Sequence, residues 1–134
     1  MTTFELNPIQ AGAIRRMVSL DLHMEIERML EFSQDSAAPN LLGIGDSIGK
    51  LNVLVERIQQ LEGSRPVDFE APLEYVRERA KEALETECDE LHNAATTLLR
   101  ENRGLVTVRE HVDRIARLTD LLEHPDFMPL EDGS

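Results

Sequence analysis

The chain has a single cysteine, no tryptophan, one tyrosine and four phenylalanines. One thiol cannot close an internal disulfide, and alone it cannot supply a multi-thiolate zinc site. Basic residues are scarce as well: 14 Lys and Arg against 26 Asp and Glu leave a formal charge of −12 at pH 7. That balance argues against a positive face for a phosphate backbone or an anionic bilayer. No apolar run approaches the roughly 20 residues needed to span a membrane. The opening MTTFELNPIQ lacks the basic start of a secretory signal. These absences lead to the expectation of a soluble, cytoplasmic protein with no nucleic-acid or membrane partner.

What is present suits one globular core. Hydrophobic residues make up 41% and charged residues 30% of 134 positions, too short a chain for two full-sized domains. Asn7-Pro8 is a capping residue followed by proline at the first helical position, so a first helix is expected over about residues 8–32. The polar stretch Ser33 to Asn40 leads to a second helix, about 41–62, that stops before Gly63. Asp68 is placed to cap a long third helix, about 69–103, with Glu70 and Pro72 in its first turn and Gly104 as the left-handed closing residue. Thr107 and Glu110 form a capping-box pattern, starting a fourth helix over about 107–124 that ends before Pro125. No strand-like alternation competes, and residues 125–134 read as an irregular tail. The expected architecture is therefore all-α: an antiparallel four-helix bundle with a long third helix, forming a single domain over residues 1–134.

Three of the expected helices carry one apolar stripe each and a polar back. The first differs, because its apolar residues fall on two arcs. Ala13, Met17, Leu20 and Met24 form one; Val18, Leu22, Ile26, Met29 and Leu30 form the other. A lone bundle has use for only one such arc. Either the terminal segments with Phe4, Phe127, Met128 and Leu130 cover the second, or a partner does. Val18, Leu22, Ile26, Met29 and Leu30 are thus the expected interface, and the expected partner is another protein or a second copy of the chain. Between the arcs lies a polar stripe of Arg16, Ser19, His23 and Glu27, in which His23 and Glu27 are spaced to pair.

Glu87 and His111 are polar residues placed within apolar stripes. If the third and fourth helices turn near Leu105, residue 87 is level with about residue 123, and Glu87 and His111 lie about 18 Å apart along the hairpin. On that geometry they share no metal, and the expectation is that each is satisfied structurally. Cys88, with acidic neighbours on both sides, is expected to be an inert buried thiol.

Glu87-Cys88-Asp89-Glu90 followed by Glu110-His111-Val112-Asp113 resembles the E-x-x-E and E-x-x-D motifs of all-α nucleotide pyrophosphohydrolases. The resemblance covers only these eight residues. It implies Mg²⁺ held by Glu87, Glu90, Glu110 and Asp113 against a triphosphate. Fainter likenesses join His92 and its neighbours to the phosphoacceptor segment of histidine-kinase dimerisation helices, and Arg117 with His124 to the spacing of HEPN-type ribonucleases. Acidic surroundings oppose both chemistries. An acidic mimic of nucleic acid is a further alternative, but Glu and Arg alternate along the third helix from Glu74 to Glu82, as in ordinary solubilising pairs. The leading expectation is a non-enzymatic interaction module, without cofactor or catalytic residues, acting through its first helix.

Overall fold

Asn7 does what its position promises. In a computed structural model of the chain, which describes residues 1–34 and 38–124, its side chain accepts from the Gln10 amide at 2.8 Å while Gln10 Oε1 accepts from the Asn7 amide at 3.1 Å. This reciprocal box opens α1 (Pro8–Ser33). Asn40 caps α2 (Leu41–Gln60) by accepting from Gly43, and the glycines at the start of that helix are accommodated within it. Helices α3 (Leu73–Glu101) and α4 (Leu105–Leu122) complete a four-helix, predominantly α architecture. No helix among the described residues is long and apolar enough to cross a membrane.

Two short strands were not expected. Strand β1 (Thr2–Leu6) pairs antiparallel with β2 (Val67–Ala71), with Phe4 opposite Phe69 and Leu6 opposite Val67. Asp68 therefore lies in β2 opposite Glu5, not at a helix cap, and α3 begins only after Pro72. The alternation that drives this is short but clean: Phe4, Leu6, Phe69 and Ala71 are buried, while Glu5, Asp68 and Glu70 point outward. Asn102, at φ 51°, closes α3 where Gly104 was expected. Gly104, at φ 95°, instead opens α4, so Thr107 lies inside that helix and makes no cap.

The helices form two antiparallel hairpins, α1–α2 and α3–α4, that overlap along part of their length. In the overlap, the sheet and the facing helical segments make one cluster containing Phe4, Leu6, Ile14, Val18, Leu54, Leu61, Phe69, Val76, Ala80 and Leu121. A smaller cluster joins Met17, Ala83 and Leu118. The Gln10 side-chain amide reaches the Arg117 carbonyl at 2.9 Å, tying the start of α1 to α4. At the opposite end of the overlap, Asp21 accepts from the Tyr75 hydroxyl at 3.0 Å and from Arg79 at 2.7 Å. The Arg57 guanidinium lies 4.1 Å above the Tyr75 ring, which joins α2 to the same junction. Burial first, then the charge and hydrogen bond of Asp21, push the Tyr75 hydroxyl up to about 12 against the opposing influence of Arg57. For Arg79, burial pulls downward, but the Asp21 hydrogen bond and charge prevail and hold its guanidinium above the usual value.

Central placement explains the two apolar arcs of α1. Met17 faces α3 and α4, whereas Val18 faces the sheet and α2. Val18 is fully buried within its own chain and Leu22 packs against the same core, so Val18 is withdrawn from the expected interface. Part of the covering role assigned to the terminal segments is filled by Phe4 of β1; Phe127, Met128, Leu130 and the expected irregular tail lie outside the described residues.

Candidate functional site

Beyond the overlap, residues 23–33 of α1 and 41–53 of α2 belong to neither hydrophobic cluster. They form a two-helix arm that packs on itself, with Phe32 seated against Gly43 and with Glu25 and Ser47 buried. A large apolar residue needs cover, yet Met24, Ile26, Leu30, Leu41, Leu42, Ile48 and Val53 of the arm are all exposed. Of the expected interface, Ile26 and Leu30 are exposed by 38% and 49%, and Met29 is half-buried.

Helical geometry divides the arm into two faces. Ile26 and Met29 of α1 share one with Ile48 of α2, an apolar surface that Val55 continues just beyond the arm. The other is a groove of about 670 Å³ lined by Asp21, Met24, Glu25 and Arg28 of α1 and by Gly45, Lys50 and Val53, among others, of α2. The signal for this groove lay in α1: Glu25 sits at helical spacing from Val18, Leu22 and Met29, a carboxylate in the middle of an apolar arc.

A second polar constellation joins the two hairpins. Glu87 and His111 are both buried, and Glu87 Oε2 lies 2.6 Å from His111 Nδ1. The expected separation of about 18 Å is therefore wrong. Glu87 is level with residues 111–114, not with residue 123, because the hairpin turns several residues before Leu105. The guanidinium of Arg114 is 3.5 Å from the same carboxylate oxygen, and Arg16 of α1 pairs with Glu90 at 2.6 Å. Arg16, Glu87 and Arg114 also line a cavity of about 360 Å³ beside the first turns of α1.

Glu87, Glu90 and His111 each offer a ligand atom, and these atoms lie within 4.8 Å of one another. The surroundings do not favour a divalent cation. Both carboxylates already face guanidinium groups, and Arg114 Nη1 lies 3.3 Å from His111 Nδ1. The four residues of the pyrophosphohydrolase-like pattern do not converge: Glu87 and Glu90 face this cluster, whereas Glu110 faces Arg114 at 3.6 Å and Asp113 faces Arg117 at 3.8 Å on the outer surface. His23 and Glu27 form the expected exposed pair at 3.1 Å. His124 packs edge-on against Phe4 at 5.9 Å, while Arg117 faces Asp113 and Asp120. Cys88 is exposed, contrary to the buried thiol expected.

Comparison with known proteins adds no further constraint: no family model matches the chain, and neither does any curated protein or solved structure.

Proposed function

We propose that the chain is a non-enzymatic helical interaction module whose working surface is the α1–α2 arm, and that it associates with a second copy of itself through that arm. The observation that carries this reading is the position of the arm outside both cores while it holds Met24, Ile26, Leu30, Ile48 and Val53 in water. Two such hairpins laid together bury what each exposes, giving the packing of a four-helix bundle. The arm contributes little to the fold of its own chain, so its apolar side chains are better accounted for by assembly than by folding. The buried Glu87–His111 pair, with its carboxylate matched by Arg114, is accounted for as a polar tie between α3 and α4.

Sedimentation equilibrium across the micromolar range tests the reading. A reversible dimer is expected, weakened by Ile26→Glu with Ile48→Glu on one face of the arm or by Met24→Glu with Val53→Glu on the other, each with an unchanged helical circular-dichroism spectrum. A wild-type chain that stays monomeric throughout, or a dimer indifferent to both pairs, overturns it.

A further inference from the structure

We propose that the free end of the α3–α4 hairpin is a docking site for the acidic segment Asp126 to Asp132 of a second copy, a contact separate from the one assigned to the α1–α2 arm.

This hairpin outruns the rest of its chain. No residue from Cys88 to Glu110 is buried, and Glu87 and His111 close off its base. Around the turn between the two helices, Leu99, Leu105 and Val106 are exposed by 86%, 55% and 70%. Three large aliphatic side chains at one turn make an apolar surface that the described part of the chain leaves in water.

Charge at this end runs against that of the molecule. On a chain of formal charge −12, residues 98–109 carry Arg100, Arg103 and Arg109 against Glu101 alone. Arg103 takes Glu101 at 2.7 Å, whereas Arg100 and Arg109 are exposed and enter no ion pair among the described residues. Aliphatic groups edged with unpaired guanidinium groups are complemented by a partner that is acidic and apolar together. The chain carries such a segment: Asp126, Glu131 and Asp132, with no basic residue, flank Phe127, Met128 and Leu130.

Reach decides which copy supplies it. From Val106 to Leu122, α4 rises about 24 Å. Even fully extended, the chain carries Phe127 and Met128 no farther than about 21 Å from Leu122. Those side chains cannot lie on the tip of their own hairpin, so the segment comes from a neighbour. A bilayer of anionic lipid would present a negative plane to the whole acidic molecule, whereas a short segment meets the tip alone.

The test titrates a fluorescein-labelled peptide of residues 125–134 with the full-length chain carrying Phe127→Ser and Leu130→Ser, which removes competition from its own segment. Saturable binding below about 1 mM is expected by fluorescence anisotropy. Arg100→Glu with Arg109→Glu, and separately Leu99→Ser with Val106→Ser, should each weaken it at least roughly tenfold. Raising the salt from about 0.05 M to about 0.5 M should weaken it too. The arm pairs Ile26→Glu with Ile48→Glu and Met24→Glu with Val53→Glu should leave it unchanged. All four tip positions are exposed, so the helical circular-dichroism spectrum should persist; if the double reversal disturbs it, Arg100→Gln with Arg109→Gln decides. A peptide that does not saturate, binding indifferent to both tip pairs, or binding lost with the arm pairs instead overturns the tip site. So does recruitment of the chain to phosphatidylserine vesicles through the tip arginines without binding of the peptide. The arm reading is judged apart from all of these, by the sedimentation of the wild type.

Discussion

Glu87 of α3 and His111 of α4 meet through a 2.6 Å contact between Oε2 and Nδ1, with both side chains over nine-tenths buried. The carboxylate accepts, and the ring nitrogen facing it donates. Removing one member leaves the other buried without its partner, whereas replacing both with apolar groups removes the need for a partner. Glu87→Ala is therefore expected to cost about 3 kcal/mol. The double substitution Glu87→Leu with His111→Leu should fall within about 1 kcal/mol of the wild type, since Arg114 retains Glu110. Urea denaturation of the singles and the double reads this directly, and additive losses would show that the pair does not act as a unit.

Tyr75 provides a titration with a built-in reporter, because it is the one tyrosine in the chain. Its hydroxyl is held at about 12 in the folded protein, against an ordinary value of 10.0. Above that ordinary value the unfolded chain gives up the proton while the folded chain keeps it. Its contribution is thus fully present below about pH 10 and is lost as the pH rises toward about 12. Phenolate absorbance should rise near pH 12 in native protein and near pH 10 in urea. Stability of the wild type should fall over that interval more steeply than that of Tyr75→Phe. Coincident absorbance curves would show that neither burial nor Asp21 acts on the Tyr75 hydroxyl in the folded chain.

The glycines of α2 make opposite predictions. A Cβ on Gly43 would stand 2.8 Å from the Phe32 ring, so Gly43→Ala must push that ring from its seat and should destabilise by about 1 kcal/mol. Gly45→Ala and Gly49→Ala meet nothing within 4 Å and should each stabilise the monomer by about 0.5–1 kcal/mol through helix propensity. Thermal melts at concentrations where the chain is monomeric would show the change of sign.

How much of this could be read from the residues depended on range. Local signals held where both partners lie within a few positions: Asn7 with Gln10, the proline at position 8, and the pairing of His23 with Glu27. The strands were missed because each is only five residues long. Val67 to Ala71 also leads straight into a helix, and its acidic residues invite a capping interpretation. The Glu87–His111 contact was missed for a different reason. Its register depends on where α4 begins beside α3, and two left-handed residues, Asn102 and Gly104, make that turn where one was expected. A shift of that connection moves a partner by several residues, and no periodicity along a single helix records it. The groove was legible in part, since a carboxylate centred on an apolar arc is visible without coordinates, but which helix lies opposite it is not.

The partial overlap of the hairpins has a consequence for how the molecule wears and changes. Cohesion resides in the shared middle, so thermal fraying, amide exchange and proteases should reach the tip of α1–α2 long before they reach the sheet. Substitutions of its outward side chains, away from the Phe32–Gly43 seat, should leave the shared middle untouched, so a lineage is free to vary that surface without putting its architecture at risk.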